Sequence, residues 1–464
     1  MDALALFQRI AAASAEEARP RASMLHYYLP DELLVVVGYH AAGAPGDVLG
    51  LIYGTQRSLP RTVVMPNPRN IDLRFRRLST FADHMIDHLA PLMVIGTDNL
   101  CRDAPSFLCP NQATAEWLCA TLGRSLRYRR TDGEFPVPAS VPVLGAHLSF
   151  LESRRRVPGS SMVLAATDVL RSHWWVGQTD AESENLATLL AWVDPPLGST
   201  PRAAAEAAEL ACPAAGPVPD PEWERVLADE IDAVRAGRST EAAVEQMIIE
   251  RLSPAWENTW AALDVATGLP EAPSVAERWK GDRRSWTKHV ERVIRNEAWF
   301  TRVPTPRQAA FMLGNAETAQ ADFERQVALD DPLIMAGLIA AGEALEGEVV
   351  ALDLTRREQG SRNRVYRPHI TVRPLEPFTK PIGTLLWWTL RVALAVDVAS
   401  VEPNGDVVLR AYSGIGKGVP SVSNFPSLGS RTVFSPHGPQ SWFPNTLPDH
   451  VPWTHQLPAP QVSD

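Results

Sequence analysis

Six arginines, Arg356, Arg357, Arg362, Arg364, Arg367 and Arg373, crowd one short stretch of the chain, offset by a single acid, Glu358. A guanidinium presents five N–H donors in a planar fork, so it binds phosphate bidentately and stacks on flat π systems. The segment 360–363 lies between two strand-like runs and is expected as a loop that concentrates positive charge at one end of a small barrel. Loops of that kind on an OB-like scaffold hold nucleic-acid backbone, and Tyr366, Trp387 and Trp388 would add stacking surfaces. The competing reading is a solvated hairpin, or a basic patch that docks on an acidic partner.

A second basic feature lies in the segment from Val275 to Phe300. Lys280, Arg284, Lys288 and Arg292 recur every four residues and so share one face of a helix, while Trp279, Trp286, Val290 and Val293 fall on the opposite face. Glu277 and Glu291 lie beside the stripe and support i,i+4 ion pairs of an ordinary surface helix. Two further groups, Arg69, Arg74, Arg76 and Arg77, then Arg124, Arg127, Arg129 and Arg130, follow element boundaries. Arginine outnumbers lysine along the whole chain, so arginine density alone distinguishes none of these places.

Two four-residue fragments, His147–Leu148–Ser149–Phe150 and His369–Ile370–Thr371–Val372, resemble the H-Φ-[ST]-Φ signature of the 2H phosphoesterases. In such enzymes paired histidines act as acid and base on a phosphodiester. About 220 mostly helical residues separate the two fragments, too many for that compact fold, and the residues read as one helix-borne and one strand-borne histidine. Gly414–Ile415–Gly416–Lys417–Gly418 falls short of a phosphate loop: Gly418 stands where Ser or Thr is required, and Val419–Pro420 forbids a helix start. No G-x-S-x-G or H-E-x-x-H motif is present. Glu277–Arg278–Trp279–Lys280 has neither the spacing nor the strand setting of a metal-dependent nuclease. Cys101, Cys109, Cys119 and Cys212 form no C-x-x-C pair, so reduced thiols are expected, with neither metal nor cofactor.

These residues must be held by several domains. A chain of 464 residues is long enough for about three cores. Its 45% hydrophobic and 21% charged composition is that of a globular protein, and its net charge of −10 argues against wholesale coating of nucleic acid or anionic membrane. Residues 1–138 are expected as an α/β or α+β domain, with strands at Leu33–Val37, Leu49–Tyr53 and Thr62–Met65 and helices at Phe81–Met93 and Thr114–Leu122, the latter capped by Thr114. Residues 139–346 read as a mainly helical domain beginning with Met162–Trp175 and Ser183–Val193. An Ala/Pro-rich connector occupies 197–221, and helices follow at Glu222–Arg235, Thr240–Leu252, Val275–Phe300, Pro306–Leu329 and Leu333–Leu345.

Residues 347–412 read as four or five strands of a small β-barrel, OB- or SH3-like, with Asn404–Gly405 as a type I′ hairpin turn. Residues 413–464 read as an extended Pro-rich tail whose Trp442 and Trp453 would dock on a partner. Neither a signal peptide nor a span of ~18 apolar residues is recognisable, so the cytoplasm is the expected compartment and no membrane partner is expected.

The combined expectation is a non-catalytic subunit or adaptor of an assembly that handles DNA or RNA, with other protein subunits, a helicase or a nuclease among them, as partners. One alternative is a protein–protein scaffold that touches no nucleic acid. The other is a diverged phosphodiester- or nucleotide-processing enzyme built on His147 and His369.

Overall fold

A run of consecutive apolar residues such as Leu34–Val37 can be buried along its length only if both faces of its sheet are covered. The computed structural model, which describes residues 3–41, 44–67, 70–211, 220–298, 304–359, 364–416, 418–439 and 446–447, resolves that requirement with a five-stranded mixed sheet. Its strands are β1 (Leu34–Ala41), β2 (Ala44–Gly54), β3 (Arg61–Val64), β4 (Phe107–Cys109) and β5 (Val163–Ala165), in the order β3-β2-β1-β4-β5. β1 pairs antiparallel with β2 and parallel with β4, and β4 runs parallel to β5.

Alternate side chains of β1 point to opposite cores. Leu34 and Val36 join Phe81, Leu148 and Trp286 on one side, whereas Val35, Val37 and Tyr39 join Leu170, Leu189 and Ile248 on the other. Helices α1 (Ile71–Leu89), α2 (Ser140–Arg155) and α4 (Val275–Ile294) contribute to the first layer, and α3 (Glu241–Thr267) contributes to the second. The helices expected as a separate middle domain therefore include both covers of the N-terminal sheet. Strand pairing crosses the boundary expected at 138/139, because β5 adds to the sheet beside β4.

Several local expectations change for identifiable reasons. Met162–Trp175 is not one helix: Val163–Ala165 supplies the strand β5 and the helix is confined to Ala166–His173. Asn111, not Thr114, caps the helix that follows β4, because its carboxamide oxygen accepts the Thr114 N–H at 2.9 Å. That helical stretch continues through Gly123 to Arg127, including a π-helical segment, Trp117–Leu122. It crosses α2 so closely that a Cβ on Gly145 would lie 2.1 Å from the Arg127 nitrogen. α3 runs through Pro254, whose ring removes one helical hydrogen bond, and buried Ile248, Leu252, Ala255 and Trp256 hold both flanks. Within the expected connector, Pro201–Ala211 is helical.

The described residues group into two compact units, one within Met1–Ala316 together with Leu447 and one within Glu317–Thr446. The second contains a closed six-stranded antiparallel barrel built from β6 (Leu345–Asp353), β9 (His369–Pro374), β10 (Leu385–Trp388), β11 (Ala395–Val401), β12 (Val407–Ser413) and β13 (Arg431–Ser435), in the order β6-β9-β12-β11-β10-β13. Between β6 and β9 sit the short strands β7 (Arg357–Gln359) and β8 (Arg364–Tyr366), which among the described residues pair only with each other.

Leu345, Val349, Ile370, Val372, Leu409 and Phe434 fill the barrel interior. Four or five strands were expected to end at 412, yet β13 lies beyond that point and closes the barrel by pairing with both β10 and β6. The turn at Asn404–Gly405 is not type I′. Only Gly405 has a positive φ, of 88°, and its N–H donates to Glu402 O at 2.9 Å. Pro403 fixes a negative φ in the turn, and Gly405 takes the left-handed position after it. Trp442, Trp453, Cys212, Arg69 and Arg362 lie outside the described residues. Among the described residues, no helix is long and apolar enough to cross a membrane.

Candidate functional site

The arginine stretch forms a two-stranded ribbon. β7 and β8 are antiparallel, with Tyr366 opposite Arg357, Val365 opposite Glu358 and Arg364 opposite Gln359. Directly opposed residues share a face, so Arg357, Gln359, Arg364 and Tyr366 lie on one side and Glu358 and Val365 on the other. The ladder continues past the ribbon, where the Arg367 N–H donates to Arg356 O at 2.9 Å.

On the first face the Arg357 guanidinium lies 4.1 Å from the centroid of the Tyr366 ring and donates to the Tyr366 hydroxyl. Arg364 Nη2 donates to Arg357 O at 3.2 Å. Arg357 and Arg364 are exposed.

The other face carries the stretch's only acid. Arg410 Nη1, on β12, donates to Glu358 at 3.2 Å, and His369 Nε2 lies 3.6 Å from the same carboxylate, beyond hydrogen-bond distance. Arg410 is itself gripped by Asp397 through two hydrogen bonds of 3.0 and 2.6 Å. The Asp397 carboxylate, and then Glu358, hold the Arg410 proton beyond the ordinary guanidinium range. Burial and the nearby Arg356 push the His369 pKa down, with Glu358 opposing them. Hydrogen bonds from Thr355 hold Asp353 below the usual carboxylate range.

The consequence is a separation of charge. Glu358 is turned toward the barrel, and among the described residues no carboxylate lies within ion-pair distance of Arg356, Arg357, Arg364 or Arg367. Arg373 differs, since it pairs with Asp406 at 3.4 Å. The two tryptophans expected beside the arginines are elsewhere. Trp387 and Trp388 lie on β10, the strand farthest round the barrel from β9, and Trp388 Nε1 donates to Thr432 Oγ1 at 2.7 Å.

In the first unit, Lys280, Arg284, Lys288 and Arg292 are exposed along α4 while Trp279, Trp286 and Val290 are buried. Arg284 lies 3.6 Å from Glu277. The inward side of the helix carries polar chemistry that pattern reading passed over. Buried Asp282 accepts from Arg154 Nη2, Ser160 Oγ and the Ser161 N–H, each at 2.9 Å. His289 Nε2 lies 3.0 Å from His147 Nδ1, with both rings buried beside Trp286 and Phe150 stacked 4.1 Å from His289. Burial pushes His147 down to about 4. Burial, His147 and Arg292 together push His289 down to about 3.

The signal for these residues was present: Asp282 and His289 fall at i+3 and i+10 from Trp279, on the stripe that reads as apolar. His147 thus sits on a helix inside one core, and His369 on a strand of the other unit. Cys101, Cys109 and Cys119 are buried free thiols, and burial raises Cys109 to about 12.

Open α/β sheets bind ligands beyond the carboxyl ends of their parallel strands. Near that end of β4, a cleft of about 720 Å³ is lined by Asn111, Gln178, Glu182, Glu184, Thr188 and Trp192 among others, with no Ser, Cys or His among the described residues of its wall. Arg171 neutralises one edge, bonding Glu184 at 2.7 Å and Asp180 at 2.8 Å. Among the described residues, no group of three or more His, Cys, Asp or Glu is placed to hold a metal ion. No protein-family model matches the chain, and neither a curated protein nor a solved structure matches it.

Proposed function

We propose that the barrel unit binds nucleic-acid backbone through the exposed face of the β7–β8 ribbon, and that the chain acts as a non-catalytic subunit or adaptor of a nucleic-acid-handling assembly. The observation that carries this reading is the turning of Glu358 onto Arg410, which leaves Arg357 and Arg364 on a face without an acid. An acidic chain can bind a polyanion in this way because the field of a local patch extends about one Debye length, ~8–10 Å, at working salt. In functional terms the barrel is read as OB- or SH3-like, holding its ligand on a loop at one end. The stripe on α4 is a second, independent cationic surface, and other protein subunits would supply any catalysis.

The test is binding of labelled DNA and RNA oligonucleotides across a salt series. Affinity is expected to fall steeply as salt rises, since each neutralised phosphate releases condensed counterions. The pair Arg357→Glu and Arg364→Glu is expected to abolish binding while the barrel stays folded. Unchanged binding in a folded double variant would instead make the ribbon a solvated hairpin. Binding to a protein partner that survives high salt would favour the scaffold.

A further inference from the structure

Resting on the reading of the ribbon as a nucleic-acid site, we infer that its ligand is a single strand and that one base stacks on the Arg357–Tyr366 pair. The pair is already in contact. The Arg357 guanidinium carbon lies 4.1 Å from the phenol ring centroid, a cation–π distance, and the guanidinium also donates to the phenol oxygen. Arg357 is thereby held as an exposed planar cation rather than a mobile one, so the ordering cost of a stacking arginine is met before the ligand arrives. An exposed guanidinium plane offers a π face to any base whose own faces are free.

Duplex bases have no free faces. They are stacked on one another inside the helix, so a duplex could use this pair only as point charge. Entry of the ribbon into a major groove is further opposed by its second face, because Glu358 on that side is tied to Arg410 of the barrel strand β12. One face is thus turned to the barrel, and the other presents the Arg357–Tyr366 contact with Arg364 beside it, bonded to the Arg357 carbonyl. Phosphate would meet Arg364 while the base covers Arg357.

The discriminating variant is Arg357→Lys, which keeps the charge and removes the planar guanidinium. Binding of the full-length protein is measured to a mixed-sequence single-stranded oligonucleotide, to the matching duplex, and to inorganic polyphosphate of similar charge. The single strand is expected to bind best. Arg357→Lys and Tyr366→Ala are each expected to weaken it about tenfold while leaving polyphosphate affinity within about twofold, since base–aromatic stacking carries most of the difference.

Equal affinity for all three ligands, with no effect of Arg357→Lys, overturns the single-strand inference and leaves the anion-binding reading intact. Failure of the wild-type protein to bind any of the three overturns both. Preservation of the barrel in each variant is read from hydrogen exchange of the β9 and β12 amides.

Discussion

Helix α4 and the arginine ribbon both display cations, and they differ in what stands behind the charge. Behind Lys280, Arg284, Lys288 and Arg292 lie two buried tryptophans, a buried carboxylate with three donors and a histidine pair. Behind Arg357 and Arg364 lies one tied acid on a ribbon whose strands, among the described residues, pair only with each other. The helix is therefore a structural member that happens to be basic outside, while the ribbon adds little to its unit beyond what it presents. Charge density in a sequence does not separate these cases; the packing on the reverse face does.

That contrast breaks most easily at the helix. Trp286→Ala is expected to cost the first unit about 3–5 kcal/mol, since a fully buried indole leaves a large cavity. Tyr366→Ala on the half-buried ribbon should cost under ~1 kcal/mol. Urea denaturation followed by segment-resolved hydrogen exchange compares the two directly, and similar losses would erase the distinction. Next in size, Asp282→Ala should cost about 3 kcal/mol, because it strips Arg154, Ser160 and the Ser161 N–H of their common acceptor. A loss below ~1 kcal/mol would mean that water replaces the carboxylate and that the helix is not anchored there.

Acid sharpens the comparison. The folded-state pKa values of His147 and His289, about 4 and about 3, lie below the ordinary value of 6.5. On acidification the unfolded chain therefore takes up protons first. The stability associated with this pair is fully present above pH ~6.5 and is lost as pH falls toward 4 and then 3. Between pH 7 and pH 5 the pair should cost the first unit on the order of 3–4 kcal/mol, just under 2 per ring. The double variant His147→Leu, His289→Leu should flatten that dependence, and a slope unchanged by it would place the acid sensitivity elsewhere. The smallest effect belongs to the stripe itself. Lys288→Glu should shift stability by no more than ~0.5 kcal/mol, and a larger loss would show that the outer face of α4 contacts something.

Much of this is legible in the sequence. The short apolar runs and bounding turn residues at Leu33–Val37, Leu49–Tyr53 and Thr62–Met65 marked strands that form within a few residues of those positions. The buried and exposed faces of α4 followed from spacing alone, as did the change to strands after Gly347. What failed was tertiary. No period in β1 says that its covers come from 140–155 and from 241–267, because a strand buried on both faces records burial and not the identity of its neighbours. Val163–Ala165 resembled the start of a helix since three apolar residues fit either period, and partnership with β4 decided between them.

At the candidate site, the arginines and Tyr366 could be named, but the side on which Glu358 falls could not. That depends on a register which places Val365, and not Arg364, opposite it. The Trp387–Trp388 pair was misassigned to the arginines for the same reason, since order round a barrel is not order along a chain.

The closing strand β13 has a consequence for how the barrel comes into being. Val433 pairs with Glu346 and Trp387 with Ser435, so the last strand joins an edge laid down almost ninety residues earlier. Until Arg431–Ser435 has left the ribosome, β6 and β10 each expose a row of unpaired amides and carbonyls to any other extended chain. Closure at such sequence separation is intrinsically slow. A fragment cut after Tyr412 would retain the arginine ribbon yet carry two open sheet edges, and self-association through them is its expected fate.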